Sequence, residues 1–303
     1  MELRQLKQLM VLSETLNFHR AAEQLHIAQP PLSTSIRKLE EELGVQLFER
    51  LPSGLRTTPA GEAVLQQARH TLFYVEEVRR AAQQGLAGNQ GRLRVGFVGS
   101  ASFGLLPRII GRYRRQFPAV DLAIEEGTTR GLLRRLEEHT LDLALVRFPV
   151  LQPSRASISL LRPERLLLAV GAASPLAGRS QLALEDLQGE AFIGYSSRLV
   201  PTMHALTQFV FQQAGIQPQV IQEAVQVHAM LGLVESGLGV ALMPDSVRRY
   251  AGDGVHFIEL RELSCSLRTG IALAQMPDTL TPTARHFIEL AQRESAAQDS
   301  GSA

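Results

Sequence analysis

An α/β protein in three parts is expected from this chain of 303 residues, on three observations. Up to about residue 90, apolar residues recur at helical spacing with few strand signals. Beyond it, short β-branched runs alternate with helical patterns, as in a parallel or mixed sheet. Between the two, Gly85-Leu86-Ala87-Gly88-Asn89-Gln90-Gly91 carries three glycines in seven residues and reads as a linker.

The composition allows a real core and narrows the function. Hydrophobic residues make up 45% and charged residues 20%, which excludes fibrous and mostly disordered chains. The net charge of +1 gives no bulk sign of a nucleic-acid partner. One cysteine, Cys265, excludes a disulfide framework and a Cys-rich zinc site. The absence of Trp argues against a carbohydrate or single-strand stacking platform. The eight histidines form no HExxH pattern, and neither a GxSxG elbow nor a Walker A loop is present. An enzyme, a cofactor and a metal are therefore not expected. No run approaches the ~18 apolar residues of a membrane span. The amphipathic N-terminus is not a signal peptide, so a cytoplasmic location is expected.

The first element is a helix carrying Leu3, Leu6, Met10, Ser13 and Leu16 at helical spacing. A short second helix is expected from about Phe18 to Leu25. A third begins near Pro31, carries Leu32, Ile36, Leu39 and Leu43, and stops at Gly44. Gln46–Arg50 and Leu55–Thr58 flank Pro52-Ser53-Gly54, a hairpin turn signal. Thr58-Pro59 then opens a long helix that runs to about Gln84, with Thr as its cap. Some 26 residues at 1.5 Å each span roughly 39 Å. Its stripe of Ala63, Val64, Ala68, Leu72, Val75, Val78 and Ala82 is close to a heptad rhythm. A helix of this length cannot bury such a stripe alone, so a second copy of the chain is expected along Val64, Ala68, Leu72 and Val75. Packing on its own domain is the alternative.

Phe18 to Leu43 has the spacing of a helix-turn-helix. Ala21 and Ala22 are small enough for close helix approach. Ile27 sits in the turn, where it is expected to plug the core. The outer face of the third helix shows Gln29, Pro30, Ser33, Thr34 and Arg37. Short polar groups and one guanidinium suit base edges and phosphates in a major groove. The hairpin would lie beside the groove as a wing, with Arg50 and Arg56 on phosphates. The competing reading is an ordinary three-helix bundle with a polar outer face. Seven basic groups against seven acids in residues 1–60 favour that alternative. Placement opposes it, because Glu40, Glu41 and Glu42 stand at the far end of the third helix.

Ala21-Ala22-Glu23-Gln24-Leu25-His26-Ile27-Ala28-Gln29-Pro30-Pro31-Leu32-Ser33, followed by Ile36-Arg37-Lys38-Leu39-Glu40-Glu41-Glu42-Leu43-Gly44, resembles the winged helix-turn-helix of LysR-type transcriptional regulators. Thr58-Pro59-Ala60-Gly61 is similar to the start of their linker helix. His19 and Thr34 depart from that pattern, which often has Ser or Thr at the first position and Arg at the second. The resemblance implies a double-stranded DNA operator with interrupted dyad symmetry. It also implies a dimer through the linker helix, usually a dimer of dimers and so a tetramer. RNA polymerase is a further candidate partner.

In the second part, Leu93–Val98 reads as a strand ending in Gly99-Ser100-Ala101-Ser102, with a helix from Phe103. Asp121–Glu126 is a second strand, ending in Gly127-Thr128-Thr129, and Asp142–Val146 a third, ending at Arg147. Ligands of open α/β sheets sit beyond the carboxyl ends of strands, at helix N-termini. Ser100, Ser102, Thr129 and Arg147 are therefore expected on one carboxylate-friendly edge. For any one hydroxyl, plain helix capping is an equal alternative. Further strands are read at Leu166–Gly171, Ala191–Tyr195 and Val220–Ala224. A helix follows near Val227-His228, and a buried strand ends Gly237–Pro244.

Two lobes joined by crossing strands near 161–166 and 265–270 resemble the type 2 periplasmic-binding-protein fold that LysR-type regulators use as effector domain. The resemblance divides the chain into a winged domain at 1–58, a linker helix and hinge at 59–90, and an effector domain at 91–303. Within the last, lobe I covers about 91–162 and 268–303, and lobe II about 163–267. Gly96-Phe97-Val98-Gly99-Ser100 and Phe103-Gly104-Leu105-Leu106-Pro107-Arg108-Ile109-Ile110 look like the regulators of aromatic-acid catabolism that sense muconate and chlorinated muconates. That similarity implies effector carboxylates at Ser100 and Thr129, with Pro201 and Val227 lining the cleft. Met203 replaces an aromatic cleft residue, and His228 stands where an amide is known. A second aromatic-acid site known in some relatives would match Arg147, Arg162 and an acid that is Gln226 here. An activator of a catabolic operon, answering to a small carboxylate such as a muconate or an aromatic acid, is expected. A LysR-type regulator of an unrelated pathway is the alternative, ahead of a solute-binding protein or an enzyme.

Overall fold

The computed structural model describes residues 1–51, 54–84, 89–261 and 269–299. The chain divides into two compact units, Met1–Gly85 with Glu138–Thr140, and Leu86–Glu137 with Leu141–Ala303. Cys265, the turn residues Pro52 and Ser53, and most of the expected linker lie outside the described residues.

The first unit contains α1 (Leu3–Thr15), α2 (Phe18–Gln24), α3 (Gln29–Leu43), the antiparallel pair β1 (Phe48–Leu51) and β2 (Gly54–Thr57), and α4 (Pro59–Gln84). Leu6, Leu9 and Leu12 of α1 meet Ala21 and Ala22 of α2 and Leu32, Ile36 and Leu39 of α3 in one core. Each such leucine contributes about 1.5–3 kcal/mol by leaving water. Ile27 does not join them, contrary to expectation, and is 37% exposed. The chain turns back at His26 (φ 54), and the Ile27 N–H is held by the Ala22 carbonyl, while Ala21 and Ala22 let the helices close without a plug. Leu16 is likewise outside the core, because α1 ends at Thr15 and Leu16 takes a left-handed conformation (φ 47). α3 begins at Gln29, two residues earlier than expected. Pro30 and Pro31 fit its first turn, where no backbone N–H is required.

The Thr58 hydroxyl accepts from Gly61 N at 2.9 Å and caps α4. Gly61 is needed there, because a Cβ would stand 2.2 Å from the Leu47 carbonyl oxygen. Leu65 and Ala68 are buried in the unit's own core, with Val64 and Leu72 packed partly against it. This corrects the expectation for Ala68, which α4 turns toward α1 and not toward a second copy. Val75 is half-buried and Val78 is 70% exposed.

The second unit has two lobes. Lobe I holds β3 (Gln90–Phe97), α5 (Leu105–Gln116), β4 (Ala119–Glu126), α6 (Thr129–Glu137), β5 (Leu143–Phe148) and β6 (Ser157–Glu164). Lobe II follows with β7 (Leu166–Gly171), β8 (Gln181–Leu182), β9 (Ala191–Tyr195), α7 (Pro201–Gln213), β10 (Gln219–Ala224), α8 (Val227–Glu235), β11 (Ala241–Pro244) and β12 (Val255–Leu260). The chain then returns to lobe I with β13 (Thr269–Gln275) and α9 (Pro282–Asp299).

The lobe I sheet has the order β4-β3-β5-β13-β6, with β3 parallel to β4 and β5, and β13 antiparallel to β5 and β6. Leu143–Val146 and Ile271–Ala274 are fully buried at its centre, as continuous apolar runs require. Lobe II pairs β11-β7-β12-β8 and, separately, β10 with β9, and the Phe192–Val240 bridge links the two groups. β6 stays in the first sheet through Glu164, so the chain crosses between lobes at Arg165.

Candidate functional site

The solvent face of α3 carries the residues expected to read DNA. Gln29, Pro30, Thr34 and Arg37 are exposed and Ser33 is half-buried. They stand one and two turns apart, on the side opposite Leu32, Ile36 and Leu39. Arg37 lies 3.5 Å from Glu41 one turn on, and both are well exposed, so water screens the pair. On the hairpin, Arg56 Nη2 is 2.8 Å from Glu49 Oε2. The Arg50 side chain lies outside the described part of the structure. Glu40 is not merely remote from the reading end. Its carboxylate accepts from Leu47 N at 2.7 Å and Phe48 N at 3.2 Å, tying α3 to the hairpin.

The second unit has a cavity of about 390 Å³ between its lobes. Strand ends build one wall, with Ser100 in the turn after β3, Thr128 and Thr129 at the start of α6, and Arg147 on β5. Lobe II supplies Tyr195 at the end of β9, Pro201, Thr202 and Met203 at the start of α7, and Val227 at the start of α8. The site therefore sits where strand ends meet helix N-termini, and the partial positive charge of those termini favours an anion.

Hydrogen bonding gives the two hydroxyls a direction. Ser100 Oγ accepts from Arg147 Nη2 at 2.5 Å, and Thr129 Oγ1 accepts from Arg147 N at 3.2 Å. A hydroxyl that accepts keeps its one hydrogen to donate. Arg147 lines the cavity with its charge already paired. It lies inside β5 and not past its end as expected, is 4% exposed, and is ion-paired with the buried Glu164. Position 226 holds the glutamine read from the sequence, and the acid beside Arg147 is Glu164.

Two expected site residues lie elsewhere. Ser102 donates its hydroxyl to the Gly99 carbonyl at 2.6 Å and closes the turn after β3. His228 is exposed and packs on Phe103 at 4.8 Å between ring centroids, because it follows Val227 by one helical step and points away from the cavity. Sequence reasoning missed Thr128, Glu126, Gln152, Tyr195 and Thr202. The Thr128-Thr129 pair was visible as a strand-end signal. Nothing in the sequence places Tyr195 or Gln152 there.

Comparison with known proteins covers both units. Residues 3–62 match the model of the bacterial regulatory helix-turn-helix protein, lysR family, and residues 86–296 match the LysR substrate binding domain. The chain belongs to the LysR family of bacterial transcriptional regulators. AlsR of Bacillus subtilis is 32% identical over 96% of this chain and 95% of its own. BenM of Acinetobacter baylyi is 35% identical over 92% of each chain. The crystal structure of full-length BenM superposes with a TM-score of 0.61, covering 99% of this chain and 98% of that one. Full-length CbnR complexed with its target DNA gives a TM-score of 0.60 at 25% identity, over 97% of this chain and all of the other.

As a LysR-type regulator the chain binds DNA and is not an enzyme. The family binds small-molecule effectors and oligomerises. Among the described residues no cluster of His, Cys, Asp or Glu could hold a metal ion, and no helix is long and apolar enough to cross a membrane.

Proposed function

We propose that this LysR-type regulator is a cytoplasmic activator of a catabolic operon and that its effector is a small carboxylate, such as a muconate or an aromatic acid, bound between the two lobes of the second unit. The observation that carries this is the pair of hydroxyls on Ser100 and Thr129. Both accept from Arg147, so both have a hydrogen left to donate, and both line one cavity. Val98, Val200, Pro201, Met203 and Val227 supply an apolar wall suited to a flat hydrocarbon body. Two directed hydroxyls beside two helix starts supply the carboxylate end.

On the DNA side, Gln29, Pro30, Ser33, Thr34 and Arg37 read the major groove, and Arg50 and Arg56 of the wing hold phosphates. Two copies pair along α4 through Val64, Leu72 and Val75, and pairs assemble into a tetramer. Effector binding changes the angle between the lobes and, through the oligomer, the spacing of the winged domains on the operator. RNA polymerase is the partner of the activated state.

Thermal melting of the purified protein with cis,cis-muconate, chloromuconate and benzoate tests the effector. A ligand at ~100 times its Kd adds about 2.7 kcal/mol of stability and raises Tm. The rise should be lost in Ser100→Ala and Thr129→Val. A rise that survives both substitutions, or no rise with any carboxylate, overturns the effector assignment and leaves the DNA-binding function intact.

A further inference from the structure

Among the described residues Glu126 is the one acid in the cavity wall, and it spans the cleft. Its Oε1 accepts from Gln226 Nε2 at 2.9 Å, so a lobe I carboxylate is tied to a lobe II amide. The two side chains meet over Gly99, where a Cβ would lie 2.7 Å from both Glu126 Oε1 and Gln226 Oε1. The missing side chain at position 99 is what lets this clasp lie beside Ser100. The charges facing the cavity are then few. Arg147 is cancelled by Glu164, which leaves Arg130 and Glu126, one of each sign.

We propose that Glu126 is a specificity-determining residue that narrows the small carboxylates of the reading above, on which this rests, to monocarboxylates, selecting an aromatic acid over a muconate. One carboxylate is satisfied by Ser100, Thr129, the helix starts and Arg130. A second carboxylate finds in the lining only Arg147, whose charge Glu164 already holds, and cannot escape Glu126. Salt screens charges effectively only beyond ~8–10 Å, and Glu126 lines that same cavity. Like charges confined in it repel, and the repulsion acts twice on a dianion. Within the class of small carboxylates, the geometry therefore favours a single acid group on an apolar body.

The test compares matched acids on the full chain by isothermal titration. Benzoate is set against the three benzenedicarboxylates, and sorbate, with the same six-carbon diene, against muconate. The wild type should bind the monoacids at least ~10-fold tighter. Glu126→Gln keeps the acceptor for Gln226 and removes the charge. It should raise dicarboxylate affinity about 10-fold more than monocarboxylate affinity, and the difference should shrink with added salt. Equal gains for both classes, or wild-type preference for the dicarboxylates, overturn the proposal. If Ser100→Ala still weakens the monoacids in that case, the cavity reading stands without it. If no acid binds either protein, or binding ignores Ser100→Ala, the carboxylate reading and this proposal fall together.

Discussion

Arg147 holds Ser100 and Glu164 with the two ends of one guanidinium, Nη2 on the hydroxyl and Nη1 on the carboxylate. The ion pair is almost wholly buried, with Arg147 at 4% and Glu164 at 1% side-chain exposure. The pair braces the cavity wall at Ser100. Removing one partner strands a buried charge, which costs about 3–5 kcal/mol, whereas replacing both with apolar groups of similar size is often neutral. Arg147→Ala should therefore lower Tm sharply, by roughly 2–4 °C per kcal/mol in a domain of this size. Arg147→Met combined with Glu164→Leu should recover most of that loss while still weakening carboxylate binding, because Ser100 is no longer held. Calorimetry and titration of the two variants check both halves. A single substitution that leaves Tm unchanged would remove the pair from this role.

The long helix makes a second prediction. Ala68 faces its own core, while Leu72 is only half-buried. Ala68→Leu should overpack that core and cost about 1–3 kcal/mol without any partner being involved. Leu72→Glu should instead weaken self-association and DNA binding together, with a smaller effect on the melting of the second unit. Sedimentation velocity and an operator-binding titration separate the two. Leu72→Glu protein that assembles normally would count against pairing through α4.

Ile27 and Leu32 show what periodicity reads well and what it does not. Leu32 belongs to a helical stripe, and the structure buries it completely. Ile27 lies in a turn, where no repeat constrains the side chain, and its exposure follows from the left-handed His26 and the bond back to Ala22. Leu32→Ala should cost about 2–5 kcal/mol, and Ile27→Ser less than about 0.5 kcal/mol. Chemical denaturation of both variants decides this, and a large loss at Ile27 would restore the plug.

The same distinction holds in the second unit. Strand ends with Gly, Ser and Thr announced the wall at Ser100 and Thr129, because ligand edges of α/β sheets have a local signature. Ser102 carried that signature too, but its hydroxyl is used within its own turn. Tyr195, Glu126 and Gln226 come together only when the two lobes face one another, and no spacing along the chain encodes that. Glu164 was equally invisible, since it meets Arg147 across β13, a strand whose register is set by long-range pairing.

Asp245 gives a pH dependence whose sign can be worked out. It follows β11, close to Glu164, and its Oδ1 is buried without a hydrogen-bond partner among the described residues. Burial is the main cause that pushes its pKa up; the Glu164 charge adds to this, and Arg162 and Arg165 oppose it. A carboxyl whose folded pKa lies above its unfolded value binds its proton more tightly in the folded state. Its contribution favours folding at low pH and is lost as pH rises through the folded pKa. Asp245→Asn removes the charge that is costly at neutral pH. The variant should melt higher than wild type at pH 8, and the gain should shrink as the pH falls into the ordinary carboxylate range. Melting curves of both proteins from pH 8 to pH 4 test this, at pH values where each still unfolds reversibly. A gain that stays constant with pH would point to packing and not to charge, and a loss at pH 8 would show that the carboxylate is held by the Arg165 side (3.8 Å from Nε to Oδ2) more firmly than burial opposes it.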